Sequence, residues 1–113
     1  MDDSGSDEIR AIREAAERGD ASAQATLGLA YELGHGVERD PLYASYLYRQ
    51  AALAGEVRAQ YALALLYELV LPAVCSPALA RRWFELAAER GHVAARKRLN
   101  ALDTGEDAFG GSS

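Results

Sequence analysis

The sequence is short of the residues that would make it a catalyst or a cross-linked scaffold. Its single cysteine, Cys75, excludes an intrachain disulfide. The two histidines, His35 and His92, stand far from each other and from Cys75, so the chain lacks the close ligand spacing a metal site needs. A Cys/His nucleophilic pair would need tertiary proximity, and the glycines around His35 have no preceding strand to make a phosphate loop. No cofactor and no enzymatic activity are therefore expected. Cationic surplus is absent too: 12 Lys and Arg face 17 Asp and Glu, a formal charge of −5, which argues against nucleic acid as a partner. Residues 61–67 and 69–75 are the longest apolar runs, but Glu68 separates them and Pro72 interrupts the second. They are too short to cross a membrane. Residues 1–7 have neither a basic nor an apolar stretch, so no secretory signal is expected and the expected location is cytoplasmic.

What the chain has instead is alanine. Half of its 113 residues are apolar, much of that alanine, and charges recur at intervals, while only 8% are aromatic. The three prolines leave long stretches open to helix, so the composition reads as one all-α domain. The charge is uneven. Residues 1–20 are predominantly acidic and residues 81–98 predominantly basic. Such runs are ordinarily solvated helix faces; the sharper alternative is head-to-tail self-association or a polarised partner.

Self-similarity decides the fold. Gly19, Gly55 and Gly91 recur every 36 residues, and the same step carries Leu27 to Leu63 and Leu99, Tyr31 to Tyr67, Ala44 to Ala80, and Tyr48 to Phe84. Each unit reads as two helices. In the first, Ala23, Leu27, Ala30 and Tyr31 share one helical face. Asp40-Pro41 starts the second helix, Asp40 as N-cap and Pro41 where no N–H is needed. Gly55 ends it, and Ser76-Pro77 and Gly91 repeat these signals. The expected order is a leading half-unit from about residue 7, two full pairs, and a final helix to about residue 102. Residues 1–6 and 103–113 are expected to be flexible tails.

Residues 23–31 (AQATLGLAY), then Gly34, Gly36, Asp40, Ala44, Tyr48 and Gly55, resemble a nearly complete Sel1-like repeat. The resemblance covers roughly residues 8–100. It implies a short right-handed α/α solenoid of about six antiparallel helices, related to tetratricopeptide arrays, that acts as an adaptor for other proteins. Gly28, mid-helix, is acceptable where a neighbouring helix approaches closely. The second unit departs from the pattern: Ala64 replaces Gly28, and Val70, Leu71, Pro72 and Val74 stand in the segment that replaces the glycine loop. These apolar residues either fold onto the core or form a partner-facing patch.

By the same resemblance, the first helix of each unit lines a concave groove floored by Leu29, Leu33, Tyr61, Leu65 and Leu69. Arg58 lies on this face, and Glu32 and Glu68 would serve as charged guides for a helix or extended peptide carrying basic residues. Leu65→Arg is expected to leave helicity intact and abolish binding. A homodimer burying these leucines is a further outcome. The Arg- and Ala-heavy composition hints at a bacterial source. The alternative to an adaptor is a small immunity- or antitoxin-type inhibitor meeting a basic enzyme through complementary charge.

Overall fold

The computed structural model describes residues 4–72 and 76–105. Its helices start where a side chain closes the first turn. Asp20 accepts the Ala23 N–H at 3.0 Å, Asp40 that of Tyr43 at 3.1 Å, Ser76 that of Leu79 at 3.3 Å, and His92 Nδ1 that of Ala95 at 3.1 Å. Glu56 does the same for Arg58 at 3.1 Å. Each side chain satisfies an N–H that has no partner inside its helix. Pro41 and Pro77 occupy the first helical positions. Gly19, Gly55 and Gly91 all have φ near +90° just after a helix.

The result, among the described residues, is six α-helices and one π-helical turn, with no strand. They are α1 (Ser4–Glu17), α2 (Ala21–Leu33), α3 (Pro41–Leu53), α4 (Val57–Leu65) continuing into the π turn (Leu66–Val70), α5 (Pro77–Glu89) and α6 (Val93–Thr104). Two limits differ from the sequence expectation: α1 begins at Ser4 instead of residue 7, and α6 runs to Thr104 instead of 102. Gly105, left-handed with its N–H on Ala101 O, is the residue that stops α6. The remaining parts of the expected tails, residues 1–3 and 106–113, lie outside the described residues.

Consecutive helices pack against each other, most extensively within the pairs α2–α3 and α4–α5. Small residues allow the approach: Ala44, Ala51, Ala59, Ala64, Ala87 and Ala95 are wholly buried around Phe84, Leu63 and Leu66. Removing that apolar surface from water is the main stabilising term, about 25 cal/mol per Å². Gly28 shows how tight the fit is. A Cβ there would lie 2.8 Å from Cδ1 and 2.9 Å from Cε1 of Tyr48, so the α3 ring rests directly on the α2 backbone. Successive units are tied by equivalent hydrogen bonds: Gln24 Nε2 donates to Ala16 O, and Gln60 Nε2 to Ala52 O, both at 3.2 Å.

Candidate protein-binding face

The first helices of the units lie side by side. Arg58 of α4 donates from Nη2 to Ser22 Oγ of α2 at 3.2 Å, joining residues at the same position of successive units. Further along, Arg98 of α6 holds Glu68 with both arms, Nε to Oε1 at 2.9 Å and Nη2 to Oε2. These lateral bonds present one face of α2 and α4 as a common surface.

The residues expected on that face separate into two groups. Leu29, Leu33 and Leu69 are 48%, 51% and 64% exposed, and Val70 is also exposed. Tyr61 and Leu65 are instead half-buried against the core. Tyr61 packs edge-on to Phe84, with ring centroids 6.0 Å apart, and stacks on His92 at 4.3 Å. Leu65→Arg would therefore disturb packing as well as any partner contact. Leu33 and Leu69 are the positions where the face can be altered without entering the core.

The carboxylates expected as guides are engaged within the chain. Tyr48 Oη donates to Glu32 Oε1 at 2.6 Å. Burial first, then the hydrogen bond and charge of Glu32, raise the Tyr48 phenol well above its usual range, which keeps it a donor. Glu68 belongs to Arg98, with both side chains largely covered. Arg58 is paired with Glu56, whose carboxyl that hydrogen bond holds below its usual range. Sequence reasoning missed these three partners because each pairing crosses between helices or turns back onto a cap. What remains on the face is leucine, with its charges largely neutralised.

The departure in the second unit also has a definite geometry. Gly34 ends α2 in the left-handed region, with φ 77°, and Gly36 has the same φ against Ile9 of α1. Val70 and Pro72 occupy those two positions one unit later, and neither adopts such a φ without strain. The chain continues instead as a π turn closed by Leu71 N–H on Leu66 O at 2.8 Å. Leu71 packs against the core, while Pro72 helps line an apolar cavity of about 380 Å³ with Tyr67, Pro77, Phe84 and Leu102. Val74 and Cys75 lie outside the described residues. Elsewhere His35 is exposed and His92 serves as a cap. Among the described residues, no group of three or more His, Cys, Asp or Glu could hold a metal ion, and no helix is long and apolar enough to cross a membrane.

The two helical pairs, from one polar cap to the next, coincide with two matches to the Sel1 repeat model, at residues 21–56 and 57–92. The chain belongs to the Sel1 repeat family. It is similar in structure to a Sel1 repeat protein from Oxalobacter formigenes, with a TM-score of 0.77 and 42% identity over 81% of this chain and 69% of that one. No match is found among curated proteins. Sel1 repeats generally serve as non-enzymatic protein–protein interaction modules.

Proposed function

We propose that this Sel1 repeat protein is an adaptor that holds an apolar helix or extended segment of another protein across α2 and α4. The observation that carries this reading is the pair of exposed leucines at equivalent positions of successive units, Leu33 and Leu69, with exposed Leu29 one turn before Leu33 and Val70 next to Leu69. A solvent-facing surface has no structural use for such a row, and contiguous apolar surface marks interaction sites. An amphipathic segment with anchors at helical spacing would cover it. Because Glu32 and Glu68 already have partners, the ligand does not need the basic residues that the sequence suggested.

A displayed library of random peptides selected against the protein tests this reading. Selected binders should carry apolar residues at i, i+3/i+4 and i+7. Leu33→Arg/Leu69→Arg should weaken them at least about tenfold, the equivalent of about 1.4 kcal/mol, with circular dichroism and melting temperature unchanged. Binders that hold the double variant equally well would refute the assignment.

A further inference from the structure

We propose that the first unit carries a second binding site, a groove between α1, α2 and α3 that takes an arginine side chain of a partner protein. The groove has a volume of about 420 Å³, and none of its lining residues belongs to the leucine face. Tyr43, Tyr46 and Gln50 of α3, Gln24 of α2, and Arg13 and Glu17 of α1 supply its polar and aromatic walls.

What the groove offers is acceptors. Gln24 is nine-tenths buried and gives an amide N–H to Ala16 O at 3.2 Å, but among the described residues no donor reaches its Oε1. The counterpart atom one unit later, Gln60 Oε1, is sealed without a partner, whereas Gln24 opens onto the groove. An acceptor held in that way is left to whatever enters. Gln50 donates Nε2 to Tyr46 Oη at 3.0 Å, which leaves its own Oε1 as a second acceptor. Glu17 is exposed and, among the described residues, in no ion pair.

The rings supply the rest. Tyr43 and Tyr46 are both exposed and stack with centroids 5.9 Å apart. Tyr43 also stands edge-on to Tyr31 at 4.7 Å, and Arg13 lies over that Tyr31 ring, 5.7 Å from its centre. The tyrosine cluster thus already holds one guanidinium of the chain itself, on a ring outside the groove. A guanidinium is flat, has five donors and no acceptor, and stacks on aromatic faces. Three acceptors beside two exposed rings match it, whereas an ammonium has no plane with which to use both. The second unit lacks this chemistry. Leu53, Leu79 and Leu86 stand at the positions of Glu17, Tyr43 and Gln50, Arg82 at that of Tyr46, and buried Trp83 at that of Leu47. Repeat packing therefore does not require the polar residues of the groove.

Titration of acetyl-glycyl-arginyl-glycinamide into the isotope-labelled full chain, followed by NMR, tests the proposal. Saturable shifts should gather at the side-chain amides of Gln24 and Gln50 and at the rings of Tyr43 and Tyr46. The tripeptides with lysine or with uncharged citrulline in place of arginine should bind more weakly. Tyr46→Arg, which copies exposed Arg82 of the second unit, should abolish the response at unchanged helicity. Glu17→Gln should weaken binding by up to about fivefold, as expected for an exposed ion pair. Leu33→Arg/Leu69→Arg should bind the arginine tripeptide as the parent chain does, so this site stands or falls apart from the leucine face. The proposal fails if the arginine tripeptide causes no saturable shift, if the lysine or citrulline tripeptide binds equally well, or if the shifts scatter along acidic α1 and survive Tyr46→Arg.

Discussion

The two Sel1 units share a backbone plan yet solve one packing problem differently. In the first, Tyr48 lies on Gly28 and donates its hydroxyl to Glu32. In the second, Phe84 and Ala64 hold the equivalent positions, both wholly buried, and Phe84 has no hydroxyl to give. Glu68, the counterpart of Glu32, turns instead to Arg98 of the following helix. A phenol within one unit has thus been exchanged for an ion pair between units. The lesson is that repeat positions vary in coupled sets. Ring, facing small residue and carboxylate change together, because a buried ring demands space and a half-buried carboxylate demands a donor.

The comparison can be broken most severely at Gly28. Gly28→Ala gives the first unit the residue of the second while keeping the larger ring, so Tyr48 must move. Overpacking of about 1–3 kcal/mol should outweigh the gain of up to about 1 kcal/mol from replacing a mid-helix glycine, and thermal or urea unfolding would report a net loss. Gly28→Ala with Tyr48→Phe should not recover it, since the clash is with ring carbons. Recovery would show that the hydroxyl bond, not the ring, holds the close contact.

Tyr48→Phe alone acts on the hydroxyl bond and leaves the ring contact in place. It removes one hydrogen bond to a charged group, at a cost of about 1.5–3 kcal/mol at most, reduced because Glu32 can turn to water. The pH dependence is more telling. The folded phenol ionises only well above its ordinary range. Once pH passes about 10, the unfolded chain releases a proton that the folded chain retains, and stability falls as pH rises. Below that value the contribution is intact. Unfolding titrations should show a shallower alkaline decline in Tyr48→Phe than in the parent chain; parallel declines would rule this out.

The smallest effect, and the most local, belongs to the loop. Val70→Gly/Pro72→Gly restores the glycines of the first unit at the matching positions. The left-handed stop then becomes accessible, and α4 should end without the π turn, visible as lost Leu71–Leu66 amide protection in hydrogen exchange. Stability should change by less than about 1 kcal/mol, since added chain freedom in the unfolded state opposes the relief.

Much of the fold is legible in the repeat spacing. The 36-residue step places Asp20, Glu56 and His92 at one position, and all three prove to be N-caps. Local chemistry repeated at a fixed interval is readable because each cap acts within four residues. The leucine face is legible only in part. Leu29, Leu33 and Leu69 are exposed as the register implies, but Tyr61 is half-buried against Phe84 and His92, and Leu65 packs on the same core. The partners of Glu32 and Glu68 lie 16 and 30 residues away, and no local pattern announces such pairs.

By itself the sequence determined that the chain folds as stacked helix pairs, where those helices start and stop, and which positions are repeated. Caps, prolines, stop glycines and apolar periodicity all act over a turn or two of chain. Tertiary structure alone decided which leucines stay in water, which carboxylates are spent inside the fold, and that the second unit passes through a π turn. Those outcomes depend on side chains that meet only once separate helices have packed.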